Sequence, residues 1–375
     1  MERRYGLYLA DLDRDRTASH GIMGYALKLL EYLPSMLDRD ETLVCYVNDT
    51  LSLPAVSTPS VEFHSVRKSR SAIQRLRIDH ASWNWVRRDR LDVIHYPKGY
   101  VPLLRWGGRT SIVTTLHDDI TLQYAAGRWR HPQPMKARYF AWLTKRSIRA
   151  SDVILTVSNV SSAALREWGT RLGKNIDPVV TLLGPVVGSQ KPRTARDQTL
   201  LTFASPMPHK RSQETIQFCR SFIRDERADL HLVVVGRQGK SDSNITVAAP
   251  VSDEYLAELM RAAAAVVVGS EYEGFGLVPL DAHSLGTPAV FALNDAAREL
   301  YDDLPGGFEV GDEAGFRRAM KRALAIQGKV LADIGDHVRK KFDWCQVARI
   351  TAEAYREAAS SPVQVDPNPG PSFDV

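Results

Sequence analysis

The sequence predicts an α/β protein with two domains, each built on a parallel sheet. Short apolar runs rich in β-branched residues alternate with helical patterns along the chain. The runs are continuous, which is typical of strands that are buried on both faces. A chain of 375 residues is long enough for two domains of ordinary size. Nine segments show the strand pattern: Tyr5–Ala10, Thr42–Val47, Val93–Tyr96, Ser111–Leu116, Asp152–Val157, Leu200–Ala204, Leu230–Val235, Ala264–Val268 and Pro288–Ala292.

A linker is predicted near residues 184–199, where glycine, proline and charged residues are concentrated. It divides the chain into a first domain, 1–184, and a second domain, 185–341. The segment 360–375 is rich in proline and polar residues, and we expect a disordered tail there.

The composition is that of a soluble globular protein, with 44% hydrophobic and 25% charged residues. A net charge of +5 favours anionic partners without choosing among them. The three cysteines are isolated, so neither a disulfide framework nor a zinc site is expected, and a cytoplasmic location fits. No signal peptide is expected at the N-terminus. Because no apolar run approaches the ~20 residues of a spanning helix, any membrane contact is expected to be peripheral.

The stretch EYEGFGLVPLD at 271–281 directly follows a predicted core strand. Proline is tolerated in the first turn of a helix, so the next helix is predicted to start near Leu277. The backbone N–H groups of Phe275, Gly276 and Leu277 would then crown a helix N-terminus, which is an anion site. Glu273 and Asp281 would flank it as acceptors for sugar or ribose hydroxyls. Taken alone, the stretch is equally compatible with an ordinary βα loop.

Three further segments follow predicted strands or open helices. Lys210 and Arg211, in SPMPHKR, are candidates for pairing with a diphosphate, although a solvated basic loop is the commoner case. His117, in LHDD, is placed to touch a ligand hydroxyl, but an aspartate that caps a helix beside an incidental histidine explains the same pattern. Gly21 and Gly24 would expose N–H groups to an anion, although their spacing is not the dinucleotide fingerprint.

Two other patterns are rejected as ligand sites. GRQGKS at 236–241 resembles the end of a phosphate-binding P-loop, but Val234 stands where that loop needs glycine. The acids at 11–15 lack further ligands at useful spacing, so a solvated loop is expected there. We therefore predict no metal site and no cofactor.

The segment 67–90 carries eight Arg or Lys residues and two Asp. Ile73, Leu76, His80 and Trp83 fall on one helical stripe within it. Such a helix either lies on an anionic membrane surface or packs on its own domain with a solvated basic face. Both interpretations stay open, and we prefer the second. Binding of nucleic acid is not expected, because a charge of +5 is spread over the whole chain.

Taken together, the motifs resemble glycosyltransferase family 4, a family of retaining nucleotide-sugar transferases with the GT-B fold. EYEGFGLVPLDAHSLGTPAVF at 271–291 is similar to the family signature, in which Glu is followed after seven residues by a second Glu. Here Glu273 is followed by Asp281, one methylene shorter. The other matching segments occur in the expected order: GIMGY, LHD, SDVILTVS, VSDEYLAELMRAA and FDWCQVARITAEAY.

The resemblance implies two Rossmann-like domains that face each other across a donor cleft, with residues 342–359 forming a helix that returns to the first domain. The first domain would bind the acceptor and the second the nucleotide sugar. Glu273 would hold hydroxyls of the donor sugar, residues 275–277 would meet the diphosphate, and Lys210 would neutralise it. Asp281 would contact the ribose.

For the first domain, the resemblance implies that His117 contacts the sugar and assists at the reacting centre, and that Gly21 lies near the phosphates. Many relatives have Arg before the lysine, where this chain has His209, and Arg211 is expected to compensate.

The activity so implied is metal-independent transfer of a hexose, with mannose preferred, from a GDP- or UDP-sugar to a glycan or lipid-linked acceptor. The setting would be bacterial surface polysaccharide synthesis at the inner face of the plasma membrane. The alternative is a non-catalytic partner subunit that binds a sugar nucleotide without turnover.

Overall fold

The computed structural model describes residues 2–12, 20–56, 60–68, 72–102, 109–187, 196–236, 241, 244–249 and 251–360, with the backbone alone at 20, 72, 73, 75–77, 79 and 80. These residues form two parallel sheets flanked by helices, so the predicted fold class is confirmed. The predicted tail beyond Ser360 lies outside the described residues, as do parts of the linker, the acidic loop and GRQGKS.

The first sheet has seven strands in the described part of the chain. They are β1 Arg3–Leu9, β2 Glu41–Asn48, β3 Val61–Val66, β4 Val93–Tyr96, β5 Ser111–Thr115, β6 Val153–Thr156 and β7 Val179–Val180. Their order is β3-β2-β1-β4-β5-β6-β7, and every pair is parallel. The strand order therefore reverses between β1 and β4, which is where ligands bind in open α/β sheets.

The second sheet repeats this winding with six strands among the described residues. They are β8 Thr199–Phe203, β9 His231–Val235, β10 Ile245–Ala248, β11 Ala265–Val268, β12 Ala289–Ala292 and β13 Gly307–Phe308. The order is β10-β9-β8-β11-β12-β13, again all parallel. Both sheets are thus Rossmann-like, and the reversal in the second lies between β8 and β11.

Helices connect the strands on both faces of each sheet. They are α1 His20–Tyr32, α2 Ala72–Arg88, α3 Ile120–Ala125, α4 Pro134–Ala150, α5 Asn159–Arg171, α6 Ser212–Glu226, α7 Asp253–Ala262, α8 Leu277–Ser284, α9 Asp295–Tyr301, α10 Glu313–Ala325, α11 Gly328–Lys341 and α12 Trp344–Ser360. Short polar side chains cap several of them: Ser158 caps α5 and Ser252 caps α7, each by accepting an N–H of the first turn. Within the described ranges, no helix combines the length and apolar character needed to cross a bilayer.

Helix α12 joins the two domains. It begins beside the linker, where the Trp344 indole donates to the Pro185 carbonyl at 2.8 Å. It then packs on the first sheet, where the Tyr355 hydroxyl lies 2.7 Å from Nδ1 of buried His95. Farther along, Arg356 binds the carboxylate of Glu41, which is 3% exposed. Helix α12 therefore completes the core of the first domain.

Helix α2 packs on its own domain through Trp83. That indole is 3% exposed and belongs to a core cluster with Ile94 and Ile112. The side chains of Ile73, Leu76 and His80, which share the predicted stripe, lie outside the described ones. The tryptophan that the membrane interpretation placed at a lipid surface is therefore inside the domain.

Candidate active site

The carboxyl ends of strands from both sheets meet at one place. The Gly274 carbonyl, in the loop after β11, accepts a hydrogen bond at 2.6 Å from the hydroxyl of Ser158, which follows β6. A Cβ at Gly274 would lie only 2.2 Å from the His117 carbonyl oxygen, which follows β5. Backbone segments of the two domains are therefore in contact here, and only glycine permits that approach.

The loop after β11 delivers backbone N–H groups at the start of α8. Gly276 has φ of +89°, a left-handed conformation that glycine adopts without strain, and α8 begins at Leu277 as expected. The Phe275 ring is 4% exposed and packs against Tyr301 and Phe342. The buried ring thereby fixes the loop to the core of the second domain. At the same time, α8 presents the unpaired N–H groups and the positive dipole end that favour an anion.

Lys210 and Glu273 form an ion pair beside this helix start. The lysine Nζ lies 2.7 Å from both carboxylate oxygens, and the two side chains are 34% and 19% exposed. Burial raises the pKa of Glu273, but the Lys210 charge and hydrogen bonds outweigh it, and the net pKa is lowered. Glu273 is therefore an anion at neutral pH, and a cation stands next to the helix N-terminus.

His117 is a neutral imidazole with a defined tautomer. Its Nε2 lies 2.9 Å from the Pro97 carbonyl, which can only accept, so Nε2 carries the hydrogen and Nδ1 is an acceptor. Burial lowers its pKa to about 4, against a smaller opposite effect of the Pro97 hydrogen bond. The edge of the ring packs on Tyr25, with centroids 4.8 Å apart. His117 is thus fixed and uncharged at neutral pH.

Gly21 and Asp118 complete the first-domain side. A Cβ at Gly21 would lie 3.3 Å from the Leu277 side chain, so the start of α1 adjoins the start of α8. Asp118, which was not among the predicted site residues, accepts the N–H of Ile120, the first residue of α3, at 3.0 Å. Burial raises its pKa to about 6, and the charges of Glu273 and Lys210 act on it in opposite directions. The LHDD segment therefore provides a carboxyl near the ion pair.

Arg211 and Asp281, which were predicted to bind the donor, are bonded to other groups of the protein. Arg211 binds the Glu214 carboxylate at 2.6 Å through two nitrogens and Glu271 at 3.2 Å. Asp281, 5% exposed, accepts the N–H groups of Val186 and Val187 from the linker at 2.7 and 3.2 Å. Through these contacts, Arg211 stabilises its own loop, and Asp281 binds the linker to α8.

An aromatic contact between the domains was not predicted. The Tyr124 hydroxyl lies 2.7 Å from Nδ1 of His209, which is 5% exposed, and burial lowers the pKa of His209 to about 4. Tyr272 donates to the fully buried Asp119, and Trp129 packs between Tyr272 and His209. In the sequence, the only indication of this contact was the aromatic-rich segment YAAGRWRH at 124–131. His209 therefore faces the first domain.

A second interdomain contact lies at the start of α5. The Glu299 carboxylate on α9 accepts the N–H groups of Asn159 and Val160 at 2.8 and 2.7 Å. A carboxylate from one domain thus caps a helix of the other. Among the described residues, no group of three or more His, Cys, Asp or Glu side chains is placed to hold a metal ion.

The arrangement combines a lysine, a helix N-terminus, an anionic glutamate and a neutral histidine where the two domains meet. The first two favour a phosphate anion, and the others accept hydrogen bonds from hydroxyl groups.

Comparison with known proteins gives a consistent result for both domains. A family model described as Glycosyltransferase Family 4 matches residues 22–174. A second, described as Glycosyl transferases group 1, matches residues 197–325.

Among similar proteins is an MMP α-(1→4)-mannosyltransferase of Mycolicibacterium hassiacum, 24% identical over 72% of each chain. A D-inositol 3-phosphate glycosyltransferase of Streptomyces bingchenggensis is 33% identical over 33% of this chain and 28% of that protein.

Solved structures with a similar fold include sucrose-phosphate synthase from Thermosynechococcus elongatus. Its TM-score is 0.68 at 17% identity, with 95% of this chain and 98% of that one covered. The UDP-forming α,α-trehalose-phosphate synthase from Burkholderia vietnamiensis has a TM-score of 0.63 at 13% identity, covering 96% and 98%. With one family model on each domain and this two-domain architecture, the chain belongs to glycosyltransferase family 4 and has the GT-B fold.

Proposed function

We propose that this protein transfers a hexose from a nucleotide sugar to a glycan or lipid-linked acceptor, with retention of configuration at the anomeric carbon. The observation that carries the proposal is the Lys210–Glu273 pair beside the N-terminus of α8, with its 2.7 Å contacts. A cation and a row of N–H groups suit a diphosphate, and a carboxylate next to them suits sugar hydroxyls.

The pair also keeps both charges of the site partnered. Lys210 and Glu273 hold each other in place, so neither charge is left unpaired in a partly buried position. When a diphosphate binds, it shares Lys210, and the Glu273 carboxylate gains free acceptor capacity for sugar hydroxyls. Binding of the two halves of the donor is thereby coupled.

In the proposed step, the bond between the anomeric carbon and the diphosphate oxygen breaks. The acceptor oxygen bonds to that carbon on the same face, and its proton passes to the leaving phosphate oxygen. Lys210 and the N–H groups of residues 275–277 stabilise the negative charge on the leaving group. His117, neutral through its pKa of about 4, offers Nδ1 to a hydroxyl group. This scheme uses no metal ion.

For the donor we propose a GDP- or UDP-linked hexose, with mannose first. The mannosyltransferase of Mycolicibacterium hassiacum, similar over 72% of this chain, supports that order. Bacterial surface polysaccharide synthesis is the proposed setting.

The test has a binding stage and a transfer stage. GDP, UDP and ADP are compared by thermal shift, because a ligand of the native state raises the melting temperature. Transfer is then measured with a panel of GDP- and UDP-sugars. We expect Lys210→Met and Glu273→Gln each to lower kcat/KM by about a hundredfold or more. Arg298→Met, which removes the exposed pair with Glu309, is the matched control and leaves kcat/KM unchanged.

The proposal fails if no nucleotide binds and the two site variants behave like the wild type. Binding of a nucleotide without transfer to any acceptor would instead support the non-catalytic partner subunit.

A further inference from the structure

Helix α4 exposes a row of large apolar side chains. Met135, Tyr139 and Trp142 are 83%, 50% and 46% exposed. Their spacing of four and three residues places them on one stripe of the helix. Of the six large hydrophobic side chains that are exposed among the described residues, three lie here. The Tyr139 and Trp142 rings stack with centroids 6.3 Å apart, so these two side chains form one continuous apolar surface.

The stripe does not result from poor packing of α4. Residues on the opposite face, such as Ala137, Ala141 and Ile148, are buried against the first domain. A helix with one buried face usually has a polar outer face. Here the outer face carries the aromatic rings, and contiguous exposed apolar surface of this kind marks an interaction site.

The charged residues of the segment that carries the stripe have a single sign. Residues 120–151 contain seven Arg or Lys and no Asp or Glu. Arg138 and Arg149 are exposed and lie beside Tyr139 and Trp142 in helical projection. Elsewhere on the surface, basic residues such as Arg224 and Arg317 are paired with carboxylates. The segment therefore suits an anionic partner.

The chain that leads into α4 contacts the candidate active site. Arg128 and Trp129, just before α4, contact the loop of the ion pair: the guanidinium lies 5.2 Å above the Tyr272 ring, and the Trp129 ring lies 5.6 Å from it. Tyr272 precedes Glu273 in sequence. A partner seated on α4 would thus lie next to the mouth of the candidate active site.

We propose that the α4 face, defined as Met135, Tyr139 and Trp142 with Arg138 and Arg149, binds the surface of an anionic lipid bilayer. Aromatic rings favour the depth of the headgroups, and arginine side chains reach lipid phosphates from there. The face is the outside of one helix, which suits a broad planar surface. This inference stands apart from the transfer reaction, since binding to lipid does not require turnover.

The experiment is co-sedimentation of the full chain with vesicles. Vesicles of phosphatidylcholine alone are compared with vesicles that also contain phosphatidylglycerol, at low and high salt. Two double variants are used: Tyr139→Ser with Trp142→Ser, and Arg138→Glu with Arg149→Glu. Two controls match them elsewhere: Tyr255→Ser at an exposed tyrosine of α7, and Arg87→Glu on the basic face of α2.

The wild type is expected to bind the anionic vesicles preferentially and less tightly at high salt. Each α4 double variant loses about tenfold or more in vesicle affinity, while both controls bind like the wild type. Melting temperatures of all variants, compared with the wild type, separate lost binding from lost folding.

Three outcomes overturn the inference. The first is equal binding of the wild type to neutral and anionic vesicles, or no binding to either. The second is wild-type binding by both folded α4 variants. In the third, the aromatic variant keeps its vesicle affinity and loses affinity for a soluble oligosaccharide, which would assign the stripe to a glycan.

Discussion

Oδ1 of Asp281 lies 2.7 Å from the backbone nitrogen of Val186, so a buried carboxylate on α8 holds the linker between the domains. The helix whose N-terminus forms the anion site is therefore tied to the segment about which the domains would move. The carboxylate also accepts the N–H of Val187, and burial raises its pKa to about 7 despite these hydrogen bonds.

Asp281→Asn is expected to stabilise the protein above neutral pH. The native carboxyl keeps its proton up to a pH of about 7, whereas the unfolded chain releases it near pH 3.8. The folded protein therefore loses stability relative to the unfolded chain as the pH rises from 3.8 to about 7. The asparagine oxygen still accepts both N–H groups and carries no charge. Urea unfolding should show a gain on the order of 2 kcal/mol at pH 8 that shrinks towards pH 5. Asp281→Ala, which lacks the acceptor, should be less stable than Asp281→Asn, and a gain independent of pH would contradict the argument.

Ser158→Ala is expected to weaken both a helix and the donor site. The Ser158 hydroxyl accepts the Ser161 N–H and also bonds the Gly274 carbonyl. Ser252 caps α7 in the same way, through the Tyr255 N–H. Each alanine variant should lose about 1 kcal/mol of stability. Only Ser158→Ala should also raise KM for the donor, and equal donor KM values for the two variants would refute a role for this tether.

Gly274→Ala is expected to abolish most activity. The added Cβ would meet the His117 carbonyl at 2.2 Å and the Asp118 Cβ at 2.9 Å, so the loop after β11 must move away from the first domain. Gly21→Ala is the milder variant for comparison, since its added Cβ would meet only the Leu277 side chain, at 3.3 Å. We expect at least about a hundredfold loss of kcat/KM for Gly274→Ala and less than about tenfold for Gly21→Ala. The reverse order would be inconsistent with the close backbone contact.

His283→Leu is expected to stabilise the protein, and more so in acid. His283 is fully buried on α8, and within the described residues neither ring nitrogen has a hydrogen-bond partner. Burial lowers its pKa to about 4, so below pH 6.5 the unfolded chain takes up a proton that the native state refuses. Leucine removes that dependence and the unsatisfied polar atoms, with a gain of about 1–3 kcal/mol at pH 7.

The check is urea unfolding at pH 7.5 and pH 5.5, with a larger gain expected at the lower pH. His337→Leu, at an exposed histidine of α11, is the control and should change stability little. Equal gains for His283→Leu at the two pH values would show that its ring is not shielded from protons.

The nine predicted strands are all present, and the strands that sequence reasoning missed share one property. They are β3, β7, β10 and β13, the outermost strands of the two sheets. Interior strands are buried on both faces and appear as continuous apolar runs. An edge strand such as β3, VEFHSV, has exposed positions along its length, and β7 and β13 have two residues each. Their pairing depends on a neighbouring strand that is remote in sequence.

The same distinction holds within the site. Glu273, residues 275–277 and Lys210 directly follow strands, so local sequence was enough to propose them. By contrast, Glu271, one of the two carboxylates that bind Arg211, and the linker amides that bind Asp281 are brought near only by the folded chain. The aromatic contact of Tyr124 with His209 spans 85 positions, and the aromatic-rich segment at 124–131 does not identify His209 as the partner. Roles that depend on contacts between segments distant in sequence were therefore beyond sequence reasoning.

The return of α12 to the first sheet sets an order for biosynthesis. His95 is bonded to Tyr355 across 260 positions, and Glu41 to Arg356 across 315. During translation, the first domain leaves the ribosome long before α12 exists, and its apolar surface beneath that helix stays open to water. The second domain can finish folding first. We therefore expect the earlier-made half of this protein to reach its final stability only after residues 344–360 have emerged, which makes a nascent chain halted before α12 a natural client for chaperones.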